Sequence, residues 1–147
     1  MKATGIVRRI DDLGRIVIPK EIRRTLHIRE SDPLEIFTDR EGQVILKKYS
    51  PIGEMTTFAR QYAESLAQVS GHTALIADRD QFIAVAGGSK QLLNKAVSRQ
   101  LEEKIHNRET VIAAKGDRNY VNIAEDIAID YAWQLITPII CEGDIIG

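Results

Sequence analysis

The spacing of hydrophobic and polar positions changes several times along the chain, and each change predicts a new element. Near the N-terminus, two apolar runs at 5–10 and 15–18 predict strands joined by a turn at 11–14. Pro19 ends the second run because proline lacks the N–H that a strand ladder needs, and it suits the first turn of a helix. We therefore predict a hairpin followed by a helix of about two turns over 19–26.

Two more strands are predicted after a polar loop at 29–33. The runs at 34–38 and 43–48 are rich in apolar and β-branched residues, and the turn formers between them suit a tight hairpin. The first region, 1–50, is thus expected to hold four short strands and one short helix.

Beyond residue 50 the apolar spacing becomes helical. Apolar side chains recur at three- and four-residue steps up to Ser70-Gly71, which predicts an amphipathic linker helix within 51–70. These side chains are Met55, Phe58, Tyr62, Leu66 and Val69. Packing of this helix on its own domain is favoured, because Ser65 interrupts the stripe; pairing with a second chain is the alternative.

The last region, 71–147, predicts helices alternating with strands. A hairpin is expected over 72–86, strands at 111–114 and 131–140, and a final hairpin turn at Glu142-Gly143-Asp144. A second helical stripe is expected between the hairpin and the strand at 111–114. Its apolar residues are Leu92, Leu93, Ala96, Val97, Leu101 and Ile105. Helices beside an antiparallel sheet indicate an α+β domain.

Composition narrows the class of protein. At 44% hydrophobic and 28% charged residues, the chain has the composition of a globular protein. No apolar run approaches the roughly 20 residues that cross a bilayer, and no signal-peptide pattern opens the chain, so we expect a cytoplasmic protein with no membrane partner. Cys141 is the only cysteine, which excludes an internal disulfide.

Charge is unevenly distributed along the chain. Residues 1–29 carry eight Lys or Arg against three Asp or Glu, whereas residues 51–147 carry nine against thirteen. An excess of guanidinium groups on a small unit suggests a polyanionic partner, and in the cytoplasm that usually means nucleic acid. A solvated charged surface explains the composition about equally well. The candidate contact residues are Arg8, Arg15, Arg23 and Arg24, since guanidinium pairs bidentately with phosphate or guanine.

No constellation of residues predicts catalysis, a cofactor or a metal. The Gly87-Gly88-Ser89-Lys90 segment lacks the full spacing of a phosphate-binding loop, and nothing places a base beside the Cys141 thiol. The acidic residues Glu125, Asp126 and Asp130 are explained more simply as a solvated loop than as a cation site. We therefore expect no enzyme activity.

The small size of the first region predicts oligomerisation. About fifty residues with four short strands bury too little apolar surface to be stable alone, and no metal or disulfide is available. We therefore predict an obligate homodimer in which strands of two chains complete one barrel, with the two arginine sets related by a two-fold axis. Pairing of dimers into tetramers is left open.

The same residues carry a resemblance to a known family. The segments Gly5-Ile6-Val7-Arg8, Leu13-Gly14-Arg15-Ile16-Val17-Ile18-Pro19 and Glu21-Ile22-Arg23-Arg24, with the apolar runs of 34–37 and 44–49, resemble the AbrB-type transition-state regulators. The resemblance implies a mostly-β, swapped-hairpin, AbrB-like dimeric barrel that binds double-stranded DNA through arginines at positions 8, 15, 23 and 24. Beyond residue 50 the chain resembles two-domain members with a GAF-like second domain, which continue with one more strand and a C-terminal helix. We therefore expect domain 71–147 to be incomplete.

Together these observations predict a sequence-specific DNA-binding transcriptional regulator, with control of sporulation genes implied by the resemblance and a nucleoid-associated location. The second domain is expected to serve assembly or to sense a small-molecule effector of unknown identity. Two alternatives stay open: an AbrB-type antitoxin, and a ligand-binding signalling module whose barrel only dimerises.

Overall fold

The computed structural model describes residues 4–129 and 131–147. The chain divides into two compact units, Met1–Tyr49 and Ser50–Gly147. The first unit contains the helix α1 (Lys20–Thr25) and the strands β1 (Leu34–Thr38) and β2 (Val44–Lys48). β1 and β2 pair antiparallel, with Leu34 opposite Lys48 and Thr38 opposite Val44, so the predicted hairpin is confirmed.

The two N-terminal strand predictions are wrong for the isolated chain. Segments 5–10 and 15–18 belong to no helix or strand, although the turn between them forms, with Gly14 N–H donating to the Asp11 carbonyl at 3.1 Å. A strand exists only where a second row of backbone groups completes its ladder. Within the described part of this unit, no such row lies beside either segment.

The second unit begins with α2 (Pro51–Glu54) and α3 (Thr56–Ser70), followed by the antiparallel strands β3 (Ala74–Ala77) and β4 (Phe82–Ala86). α3 ends where the sequence predicts, because Gly71 adopts φ 72° and its N–H donates to the Ala67 carbonyl. α3 turns its small alanines toward the hairpin. The buried cluster they share with it consists of Ile52, Ala59, Ala63, Ile83, Ala84 and Ala86.

The rest of the second unit comprises a 3₁₀ turn (Lys90–Leu92), α4 (Arg99–His106), β5 (Val111–Ala114), β6 (Trp133–Ile136), β7 (Ile140–Cys141) and β8 (Asp144–Ile145). β5 pairs with β6 and β7 with β8, both antiparallel, so the final hairpin turn is confirmed. The larger core of the unit consists of Phe82, Val85, Leu92, Leu101, Ile105, Val111, Ala113, Val121 and Ala124.

Two predicted elements of this unit are shorter than their apolar patterns. The stripe starting at Leu92 is α-helical only from Arg99, because Asn94 adopts a left-handed φ of 62° after the 3₁₀ turn. Ser98 then starts α4 by accepting the Leu101 N–H at 3.0 Å. The strand predicted at 131–140 stops at Ile136. Pro138 lies in the gap before β7 and has no N–H for a ladder.

Candidate nucleic-acid interface

Arg15 lies at the end of a tight turn that Asp11 organises. Asp11 Oδ1 accepts the backbone N–H groups of Leu13 and Arg15 at 3.0 and 2.7 Å. Its other oxygen, Oδ2, accepts Arg15 Nε at 2.8 Å. The Arg15 side chain nevertheless stays 70% exposed, so one edge of the guanidinium is held while the group faces solvent.

The hydrogen bonds of this turn also act on the charge of Asp11. They hold the pKa of its carboxyl below the usual range, through the backbone N–H of Arg15 first and then through the Arg15 side chain. Asp11 is therefore ionised at neutral pH. The sequence alone places Asp11 in the turn at 11–14 and among the three acidic residues of 1–29. The spacing Asp-x-x-Gly-Arg is the signal that could have revealed its contact with Arg15.

Arg23 and Arg24 lie in the last turn of α1, where positive charge is favoured by the helix dipole. Arg24 is exposed, whereas Arg23 is partly buried. Arg23 Nε is shielded from solvent and has no hydrogen-bond partner among the described residues. Such an unpaired buried donor costs free energy until an acceptor is supplied.

Arg8 is exposed and borders an apolar groove of the first unit. The groove has a volume of about 390 Å³ and includes side chains of the 15–18 segment, α1 and β2, among them Ile16, Ile22 and Leu46. The guanidinium-bearing side chain of Arg8 thus lies beside an open apolar surface. Like Arg24, it forms no ion pair or side-chain hydrogen bond with any residue that the structure describes.

The described residues show no sign of a metal centre or a membrane span. In 4–129 and 131–147, no three His, Cys, Asp or Glu side chains are grouped as metal ligands would be. No helix of this part of the chain is long and apolar enough to cross a membrane. Asp130 of the acidic loop lies outside the described residues.

Comparisons with known proteins relate both parts of the chain to known protein families. Residues 54–147 match the family model described as "Stage V sporulation protein T C-terminal, transcription factor". Over its full length, the chain is 56% identical to stage V sporulation protein T of Bacillus subtilis and covers 82% of that protein. The chain belongs to the stage V sporulation protein T family.

The first unit relates this family member to a wider group of regulators. Residues 7–54 match the model "Antidote-toxin recognition MazE, bacterial antitoxin". The transition state regulatory protein AbrB of B. subtilis is 44% identical over 108 residues, which are 74% of this chain and 93% of AbrB. The resemblance to AbrB-type regulators is thus confirmed, and AbrB is named as a regulatory protein.

A solved structure also matches part of this chain. It is the solution structure titled as the N-terminal DNA recognition domain of the B. subtilis transition-state regulator AbrB. Its sequence identity to this chain is 65%, and the match covers 35% of this chain and 94% of that domain with a TM-score of 0.29.

Proposed function

We propose that this protein is a sequence-specific DNA-binding transcriptional regulator, acting on sporulation genes in the cytoplasm, at the nucleoid. The observation that carries the proposal is family membership, because the model that matches 54–147 is described as a transcription factor and the full-length relative is a sporulation protein. The local excess of arginine in 1–29 supports DNA as the partner.

Arg8, Arg15, Arg23 and Arg24 are proposed to contact the duplex. Three of them are exposed, and the fourth, Arg23, is partly buried, with an Nε that is shielded from solvent and has no hydrogen-bond partner among the described residues. Guanidinium forks would dock the protein on the phosphate backbone, and sequence preference would come from base contacts and DNA shape.

Dimerisation is proposed because the first unit cannot cover its own apolar side chains. Up to Tyr49, Pro19 is the sole buried residue among those described. The exposed large apolar residues described in this unit are Ile6, Val7, Ile10, Leu13, Ile16, Val17, Leu26, Ile36, Phe37, Val44, Ile45, Leu46 and Tyr49. A second copy that supplies the missing strand partners for 5–10 and 15–18 would bury them and form a swapped-hairpin barrel.

Residues 71–147 of the second unit are proposed as a GAF-like domain, which serves assembly or senses a small molecule together with the linker helix that precedes it. α3 supports an assembly role, because it exposes large apolar side chains while burying its alanines. Phe58 and Tyr62 stack on this exposed face with ring centroids 6.1 Å apart. Pairing of α3 with the α3 of another chain would cover them and join dimers into tetramers.

The match of residues 7–54 to an antitoxin model favours one alternative function, that of an antitoxin. The match of 54–147 to a transcription-factor domain argues against it, because that region carries a buried core of its own. Purification of the protein from its native host distinguishes the two. Stoichiometric recovery of a second, toxic protein would favour the antitoxin.

The proposed DNA surface is tested by fluorescence anisotropy with the full chain and a labelled duplex carrying the upstream region of a sporulation gene. We expect Arg23→Ala or Arg24→Ala to weaken binding at least tenfold, about the effect of losing one charged phosphate contact. Arg118→Ala, which removes an exposed arginine of the second unit, is the matched control and should leave affinity unchanged. Equal affinity of all these variants would move the DNA surface elsewhere.

A further inference from the structure

The first unit contains two turns with the same backbone construction. In the turns 11–15 and 39–43, the first residue is an aspartate and the fourth is a glycine. The Asp11 N–H donates to the Arg15 carbonyl at 3.0 Å, and the Asp39 N–H donates to the Gln43 carbonyl at 3.2 Å. Each aspartate also accepts two backbone N–H groups on Oδ1, those of Leu13 and Arg15 in one turn and those of Glu41 and Gln43 in the other.

The two turns differ at the second carboxylate oxygen. Asp11 Oδ2 accepts Arg15 Nε at 2.8 Å. In the other turn the corresponding side chain, that of Gln43, donates to Glu41 instead. Because the turn at 39–43 closes without an Oδ2 bond to its last residue, closing this kind of turn does not require the bond. The Asp11–Arg15 contact is thus an addition to the turn.

This contact fixes the arginine by its Nε edge. The two terminal nitrogens of Arg15 have no partner among the described residues, and the side chain is 70% exposed. Two terminal N–H donors in one plane form the fork that suits phosphate or guanine. Holding a long side chain before binding also reduces the rotamer freedom it loses on binding.

We propose that Asp11 is a positioning residue for DNA binding: its Oδ2 holds Arg15 by Nε so that the terminal fork projects toward the duplex. This inference rests on the proposed function. In this role Asp11 strengthens DNA binding, whereas its negative charge alone would weaken it. A carboxylate near a polyanion repels it, so charge alone predicts tighter binding when the carboxylate is removed.

The test is Asp11→Asn in the full chain, measured by anisotropy on the duplex used above. The amide keeps an oxygen for the turn and loses the charged acceptor for Nε. We expect the Kd to rise about five- to tenfold, the weight of one charge-assisted hydrogen bond. The matched control is Asp12→Asn, since Asp12 is exposed and forms no hydrogen bond or ion pair with the described residues. This control should bind as tightly as the parent or more tightly.

A purely structural role of Asp11 is tested by two more variants. Asp39→Asn alters the matching turn, in which Gln43 takes the place that Arg15 has in the first turn, and should leave the Kd unchanged. In an Arg15→Ala background, Asp11→Asn should no longer weaken binding, because the side chain it positions is gone and only the loss of a repulsive charge remains. Circular dichroism verifies that each variant is folded.

The outcomes separate this inference from the proposed function. If the parent binds DNA and Asp11→Asn binds as tightly or more tightly, the positioning role of Asp11 is wrong. The proposed function as a DNA-binding regulator then still stands. The positioning role is also wrong if Asp11→Asn weakens binding equally with and without Arg15. If the folded parent binds no DNA at any salt concentration, the proposed function is wrong and the positioning role with it.

Discussion

The carboxylate of Asp11 binds both the backbone and the side chain of Arg15, at 2.7 Å to the amide nitrogen and 2.8 Å to Nε. One residue therefore closes the turn and directs the guanidinium. Because both contacts lie on the surface, they orient Arg15 more than they stabilise the fold.

The pKa of the Asp11 carboxyl depends on these contacts and can be used to measure them. We expect NMR titration of the side-chain carboxyl to give a pKa below the ordinary aspartate value of about 3.9. In Arg15→Ala the pKa should rise but stay below that value, because the backbone N–H groups still donate. A lowered pKa means that the turn gains stability above the unfolded-state pKa and loses it as pH falls through the folded-state pKa. An unchanged pKa in Arg15→Ala would show that the side-chain contact does not form in solution.

Gly14 and Gly42 provide a matched pair of backbone variants. Both adopt a left-handed φ, 75° and 79°, with open space where a Cβ would stand. Alanine at either position should therefore cost a similar free energy of unfolding, about 1 kcal/mol, from backbone strain alone. DNA affinity should fall only for Gly14→Ala, whose turn carries Arg15. Equal affinity losses would show that anisotropy reports general stability instead.

The exposed groove of the first unit predicts a dimer that one charge can disrupt. Ile16 is 53% exposed in the isolated chain and borders the groove. Ile16→Asp should lower the mass measured by light scattering and abolish DNA binding, because a carboxylate buried at an interface is left unpaired. Ile112→Asp is the control, at an exposed apolar position of the second unit. An unchanged mass for Ile16→Asp would exclude the groove from the interface.

The exposed face of α3 makes a separate prediction about tetramers. Phe58 is 58% exposed and stacks on Tyr62. Phe58→Glu should convert tetramers to dimers in sedimentation velocity, since it places a charge in the proposed helix pairing. Gln61→Glu adds the same charge at an exposed position of the same helix and should leave assembly unchanged. Dimers in the parent protein at every concentration would contradict this role of α3.

The presence of α3 was predictable from the sequence, and the face that it buries was not. The spacing of Phe58, Tyr62 and Leu66 with Gly71 after them predicts the helix, because amphipathic spacing and left-handed glycine caps are local features. These three side chains are nevertheless exposed, and the helix packs on its hairpin through Ala59 and Ala63. The strands predicted at 5–10 and 15–18 do not form in the isolated chain, because their backbone N–H and C=O groups need a neighbouring strand to pair with. The break before α4 depends on Asn94 and Ser98, whose effect no apolar spacing reveals.

The candidate site was predictable by residue type and not by geometry. Arginine chemistry and local charge single out Arg8, Arg15, Arg23 and Arg24, and their DNA contacts stay a prediction. The bond from Arg15 Nε to Asp11 and the unpaired Nε of Arg23 depend on three-dimensional placement. Composition counts Asp11 as a charge opposed to DNA binding, whereas its position makes it a support for Arg15.

The most direct measurement of the central claim is a salt series of DNA binding by the full chain, compared with a variant that lacks the four arginines. If a dimer neutralises roughly eight phosphates, log affinity should fall against log salt with a slope of about −7. The variant should show a slope near zero and only weak residual binding. A parent slope near zero, or an equally steep slope in the folded, dimeric variant, would contradict DNA binding through these arginines.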